Sequence, residues 1–114
     1  MANRLNRSDQ GNEGFGAMIS MAGIRPVSAM ASVSVSATSA NSKTILSAAT
    51  RRCLVLVIGG TAGDIRVTLN ETADANDWPL IPDLYFSFAV EKDDTINVYN
   101  TTGSAVTVYF LELY

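Results

Sequence analysis

A chain of 114 residues has room for one compact domain, because a domain of this size buries roughly two thirds of its surface around a single core. Charged residues make up only 17% of the chain, a depletion typical of covered surfaces, and the net charge of −3 argues against binding to nucleic acid phosphates. The chain contains no histidine, so Ser-His-Asp and Cys-His catalysis are excluded and the most common transition-metal ligand is missing. We therefore expect no enzymatic activity, no metal and no cofactor.

The first 29 residues have no sustained hydrophobic period and contain four glycines, each of which would cost about 1 kcal/mol in a helix. These residues are predicted to form an arm, either a disordered tail or a segment that docks on a partner subunit. We favour docking, because solvated tails seldom keep five large apolar residues within ten positions. The predicted partner-binding residues of the arm are Phe15, Met18, Ile19, Met21 and Ile24.

From Met30 onward the pattern changes to period two with β-branched residues, which indicates β-strands. Val33 and Val35 alternate with serines, as in a half-buried or edge strand, and residues 43–47 offer a second short strand. The run 53–58 is apolar on both phases, so we predict a central strand with both faces covered. A glycine-rich turn over residues 59–63 follows.

The second half of the domain repeats this pattern with short turns. Two prolines forbid a central strand over residues 78–82, which we predict to be a loop or edge packed over the end of the core. Residues 100–104 are predicted to form a hairpin turn into a last strand over residues 105–114, which is again apolar on both phases. Inward rows are predicted for Leu84, Phe86, Phe88 and Val90, and then for Ile96 and Val98.

Seven or eight short strands with no helical period predict an all-β fold, a single antiparallel β-sandwich or jelly-roll-like barrel with an extended N-terminal arm. The predicted division is an arm over residues 1–29 and a sandwich domain over residues 30–114. Two strands that are apolar on both faces exceed what one small sandwich can hide. We therefore expect the arm or a neighbouring copy to cover the surplus.

Few residues remain as candidates for chemistry. The carboxylate pairs Asp93 with Asp94 and Asp74 with Asp77 lie among turn-forming residues, which favours solvated turns over acid–base catalysis. The single cysteine, Cys53, lies in an apolar run and is predicted to be a buried small hydrophobe. Stacking on sugars by Trp78 and the tyrosines stays open, although such aromatics are more often core or subunit contacts.

Arg51 and Arg52 open the predicted central strand. Two arginines make a weak patch for nucleic acid, and we interpret them as donors to a salt bridge at an edge or interface. The sequence contains no polybasic patch and no run of about 20 apolar residues, which are the features that would indicate a membrane partner. We therefore expect neither nucleic acid nor membrane as a partner.

Residues 43–114 contain a strand led by two arginines (RRCLVLVI, residues 51–58), the glycine-rich turn, the stretch NTTGSAVTV over residues 100–108, and Glu112 in the last strand. In these features the segment resembles small β-rich virion proteins of tailed bacteriophages. The resemblance implies a capsid decoration or cement protein, located on the capsid surface after assembly in the host cytoplasm. Its implied partners are the major capsid protein and further copies of itself, a trimer being one arrangement found in such families. The alternatives are a head–tail adaptor, a tail or head-fibre associated protein, or a small sugar-binding module.

Overall fold

The computed structural model describes residues 25–114, and within them the chain forms β-strands, turns and coil but no helix. The predicted all-β class is confirmed, while residues 1–24 of the predicted arm lie outside the described residues. These ninety residues also offer no helix that could cross a membrane. The strands are β1 Ala31–Val35, β2 Ala40–Thr44, β3 Arg52–Val57, β4 Ile65–Leu69, β5 Trp78–Pro79, β6 Phe86–Ala89, β7 Thr95–Asn100 and β8 Val106–Leu113.

The strands form two four-stranded antiparallel sheets that pack face to face. Sheet one has the order β1-β8-β3-β6, and sheet two has the order β2-β7-β4-β5. Apart from β4 and β5, consecutive strands lie in opposite sheets, which is the strand order of a jelly roll. Residues 100–104 therefore carry the chain from sheet two to sheet one, and the predicted hairpin is wrong. A turn-forming composition indicates that the chain reverses but not which strand it will pair with.

The core lies between the sheets and is built mainly from the inward phase of β1, β3, β4, β7 and β8. The β-branched residues that alternate along the strands pack well on such pleated surfaces. Fully buried members include Val35, Cys53, Val55, Val108, Ile65, Ile96 and Val98. Strand β3 lies between β8 and β6, so the predicted central position is confirmed. Its inward phase is buried, whereas Leu54 and Leu56 on the outward phase stay partly exposed.

A buried amide holds the crossing from β7 to β8. Asn100 has no exposed surface, and its Nδ2 donates to the carbonyl oxygens of Val35 at 3.0 Å and Ser104 at 2.7 Å. Its Oδ1 accepts from the amide of Thr102 at 2.9 Å and from the Thr102 hydroxyl at 2.8 Å. Because a buried amide without partners would be costly, this full set of bonds fixes the loop against the end of β1.

The other end of β8 is paired with the chain just after the undescribed segment. The Val27 amide donates to the Glu112 carbonyl at 2.8 Å, and the Tyr114 amide donates to the Arg25 carbonyl at 3.0 Å. Pro26 and Leu113 form the bridge between these two bonds. Within the described residues, main-chain contacts with the sandwich are thus already present at Arg25, in the segment that the sequence assigned to the arm.

The buried inward phase of β3 leads to a test of its central position. Val55→Asp places a carboxylate between the sheets, where it has no exposed surface, and should lower the free energy of unfolding by about 3 kcal/mol or more. Ser34→Asp adds the same charge at an exposed site on the outward phase of β1 and should change stability by no more than about 0.5 kcal/mol. Urea denaturation measures both. Equal midpoints would mean that β3 is not a core strand.

Candidate interaction surface

Five large apolar side chains are exposed along the edge where β5 leads into β6 and where β3 ends. The most exposed are Ile58 at 65%, Trp78 at 62% and Leu84 at 60%. Ile81 and Tyr85 are each about half exposed. We call Ile58, Trp78, Ile81, Leu84 and Tyr85 the apolar edge. A group of this size on the surface of a small domain is typical of an interaction site.

The main chain holds the apolar edge against both sheets. Leu80 is buried as an anchor, its amide donates to the Ile65 carbonyl at 2.9 Å, and its carbonyl accepts from the Gly63 amide at 3.1 Å. On the sheet-one side, the Asp83 amide donates to the Val57 carbonyl at 2.8 Å, and an Asp83 carboxylate oxygen accepts from the Gly59 amide at 3.0 Å. The side chains between these anchors are therefore presented outward from a fixed backbone.

Aromatic rings continue this edge into the sandwich. The Trp78 ring lies 6.0 Å from the Phe86 ring, and the Phe86 ring lies 5.1 Å from the Phe88 ring in an edge-to-face arrangement. Such ring pairs contribute about 0.5–1.5 kcal/mol beyond their buried area. Phe86 and Phe88 pack against the core, as the predicted inward row requires.

The sequence predicted two features of this edge, of which one is confirmed and one is wrong. The prolines do confine the segment to an edge, because β5 is a two-residue strand that pairs only with β4. The prediction that Leu84 faces inward is wrong, since this residue precedes β6 and points away from the core. Alternation places a side chain inward only where the residue belongs to a paired strand.

A cleft of about 660 Å³ opens at the end of sheet one where β3 stops and β8 begins. Ile58, Gly59 and Gly60 form one wall, and residues 104–107 with Tyr109 form the other. Gly60 adopts a φ of 92°, and a Cβ there would lie 2.8 Å from a carboxylate oxygen of Asp64. That oxygen also accepts from the Thr61 amide at 2.9 Å, so glycine at position 60 allows the loop to close.

The two carboxylate pairs that the sequence singled out act in turns. Asp94 accepts through one oxygen from Asn70 Nδ2 at 3.0 Å and through the other from the Glu91 amide at 2.9 Å. The bond from Asn70, followed by that from the backbone, lowers the pKa of Asp94. Asp77 accepts from the Asp74 amide at 2.7 Å. Among residues 25–114 no group of three potential ligands could hold a metal ion.

An ion pair between a buried carboxylate and a partly exposed lysine joins the two sheets at the end opposite the cleft. Glu112 of β8 points inward, and one of its carboxylate oxygens lies 2.9 Å from Lys43 Nζ of β2. The other oxygen accepts from the Thr50 hydroxyl at 2.7 Å, and Thr50 is fully buried. Both carboxylate oxygens therefore have a partner, which a buried charge requires. No pattern in the sequence indicated that Lys43 and Glu112 would meet.

Cys53 lies beside this ion pair and is buried, as the sequence predicts. Burial, followed by the negative charge of Glu112, raises the pKa of the Cys53 thiol from 9.0 to about 12. The thiolate is the nucleophilic form of cysteine, so this side chain is inert near neutral pH.

The predicted partner-binding residues are not brought together within the described part of the chain. Phe15, Met18, Ile19, Met21 and Ile24 lie outside the described residues. Arg51 and Arg52 are both exposed, and Arg51 Nη1 donates to the carbonyl oxygens of Ala48 at 2.7 Å and Thr50 at 3.3 Å. That these seven residues contact a partner stays a prediction. The apolar edge was missed, although Trp78 between turn-forming residues and prolines was a possible signal.

Comparison with known proteins gives no relative from which a function could be carried over: no family model, no curated protein and no solved structure matches the chain.

The buried ion pair predicts a large difference between two lysine substitutions. Lys43→Met leaves the Glu112 carboxylate buried without a cation and should lower the free energy of unfolding by about 3 kcal/mol. The control Lys92→Met removes an exposed pair with Asp93, which should contribute at most about 1 kcal/mol. Adding Glu112→Gln to Lys43→Met should restore much of the loss. Equal urea midpoints for the two single variants would contradict a stabilising role of the ion pair.

The raised pKa of the Cys53 thiol predicts that the free energy of unfolding depends on pH. A thiol whose pKa is higher in the folded than in the unfolded protein stabilises the folded state. This contribution is complete at pH values below the unfolded pKa of 9.0 and is lost as the pH rises towards 12. The unfolding free energy of the wild type minus that of Cys53→Ala should therefore be positive at pH 8 and fall by pH 11. The subtraction removes the titration of the tyrosines. A constant difference would show that the thiol ionises equally in both states.

Proposed function

We propose that this protein is a non-enzymatic structural component of a bacteriophage virion, which decorates or cements the capsid by binding major capsid subunits. The observation that carries the proposal is the apolar edge. It presents a tryptophan, a tyrosine and three aliphatic side chains on a backbone that is bonded to both sheets. Tryptophan and tyrosine are the residues that most often dominate binding energy at protein interfaces.

The charge and the surface of the domain fit a protein partner. Only 17% of the chain is charged, and depletion of charge is a feature of interface cores. A decoration protein needs only modest affinity at each site, because a capsid presents many identical sites side by side. The five side chains of the apolar edge supply the central anchors of such a contact.

The residues available for chemistry support a structural role. The carboxylates of Asp77 and Asp94 hold turns, the Cys53 thiol is buried, and Glu112 is paired with Lys43. The jelly-roll strand order, together with the sequence features that resemble small phage virion proteins, supports placement on a capsid. A head–tail adaptor or fibre-associated protein would use the same apolar edge against a different virion subunit.

A sugar-binding module is the second candidate function, and one observation favours it. The cleft between β3 and β8 has a volume within the range of ligand sites and combines the Tyr109 side chain with Asp64 and the hydroxyl-bearing Thr102 and Thr107. An aromatic ring beside hydrogen-bonding groups is what a sugar ring requires. The cleft is separate from most of the apolar edge, so the two functions can be tested independently.

The test of the capsid proposal uses two leucines of similar exposure. Leu84→Ser removes an apolar-edge side chain, and Leu46→Ser removes one that is 71% exposed in the loop after β2. Empty capsids of the source phage are sedimented with each variant. Leu84→Ser and Trp78→Ser should each reduce the bound fraction on the order of 10-fold, as expected for interface anchors, while Leu46→Ser binds like the wild type.

Melting curves of the three variants separate binding from folding, because both leucines are mostly exposed in the free protein. Mass photometry of the free protein reports its oligomeric state in the same buffer. Wild-type protein that does not sediment with capsids would overturn the proposed function. Equal retention of all variants would remove the apolar edge as the contact.

A further inference from the structure

The two strands that are apolar on both phases lie next to each other in sheet one. On the outward side of the sheet, Leu54 of β3 lies opposite Leu111 of β8, and Leu56 lies opposite Tyr109. All four side chains are partly exposed, and we call them the outer apolar face. Side chains opposite each other on neighbouring strands are about 5 Å apart, so the four form one continuous patch.

Polar residues limit the width of the outer apolar face. On β1, Ser32 lies opposite Tyr109 and Ser34 opposite Thr107, while on β6 Ser87 lies opposite Leu54. With strands about 4.8 Å apart and a rise of about 3.4 Å per residue, two strands with two outward side chains each cover roughly 10 Å by 14 Å, or about 140 Å². A stable interface with a globular partner buries about 800 Å² on each side. The face therefore fits a single extended segment better than a second domain.

The described chain begins at the end of this face. The Arg25 carbonyl accepts from the amide of Tyr114, and Pro26 forms a bridge with Leu113, the last residue of β8. Leu113 belongs to the outward phase of β8 with Tyr109 and Leu111, and it is fully buried although it is not part of the core between the sheets. The outward side of sheet one is thus covered at Leu113, beside the point where the described chain begins.

Residues 25–27 run antiparallel to β8, so the preceding chain must reverse its direction to cross the face, and its length is sufficient for this. From Leu113 to Tyr109 the distance along β8 is four residues, or about 14 Å. Residues 15–24 span up to about 33 Å when extended. Because Ile24 is joined directly to Arg25, these residues are held beside the face at an effective concentration in the millimolar range.

The composition of residues 15–24 matches that surface. The segment contains no charged residue, and five of its ten side chains are large and apolar. Two of these are methionines, whose flexible side chains adapt to irregular apolar surfaces. We propose that residues 15–24 of this chain pack across the outer apolar face of sheet one in the same molecule. This inference does not depend on the capsid proposal, because it concerns the free protein.

A nitroxide spin label on the full chain tests the proposal. The label is attached at Met18→Cys, and Cys53 does not compete for it because that thiol is buried. In protein with isotope-labelled methyl groups, the signals of Leu54, Leu56 and Leu111 should be selectively lost. The methyl signal of Thr68, which lies on the outward phase of β4 in the opposite sheet, should persist.

Two samples distinguish whether residues 15–24 come from the same molecule or from a neighbouring copy. In the first, the spin label and the isotopes are on the same chain, diluted into unlabelled protein, and we expect the selective signal loss there. In the second, they are on different chains, and we expect no loss. Loss confined to the second sample would place residues 15–24 on a neighbouring copy and overturn the proposal.

A substitution within the face provides the matched control. Leu111→Ser should restore the Leu54 signal, because it removes half of a central cross-strand pair while the fold keeps its core, and Leu46→Ser should not. The absence of selective loss at Leu54, Leu56 and Leu111 in both samples would also overturn the proposal.

Discussion

The pairing of β3 with β8 is the contact on which both faces of sheet one depend. Its six residue pairs place Val55 opposite Phe110 and Val57 opposite Val108 on the inward side, and so form the centre of the core. The same register brings Leu54, Leu56, Tyr109 and Leu111 together on the outward side. A shift by one residue would exchange the two sides, because the side-chain period of a strand is two.

Polar contacts at the two ends of β8 keep this register. At its start, Asn100 bonds the crossing loop to β1, and near its end Glu112 is paired with Lys43 of the opposite sheet. A shifted strand register would break both contacts. A buried amide or carboxylate that loses its partner then incurs the full desolvation penalty. The apolar contacts between the sheets supply most of the stability, and these polar contacts select one alignment of the strands.

The surface of the domain combines few charges with two apolar regions. The outer apolar face is small and lies beside the entry of the chain, which suits a segment of the protein itself. The apolar edge is more exposed and lies on the connection from β5 to β6, on a backbone fixed to both sheets. Under the proposed function, this division lets one region complete the monomer while the other contacts a different protein.

The sequence by itself determined the all-β class, the approximate position of most strands, the edge character of the segment with two prolines and the burial of Cys53. These features follow from local properties, namely the period of two, the fixed φ of proline and the apolar run around residue 53. Only the tertiary structure decided that residues 100–104 cross between sheets, that β3 and β8 are neighbours, that Leu84 points outward and that Lys43 meets Glu112. Each of these depends on which distant strands pair, and turn composition and periodicity carry no information about pairing between residues about 30 or more positions apart.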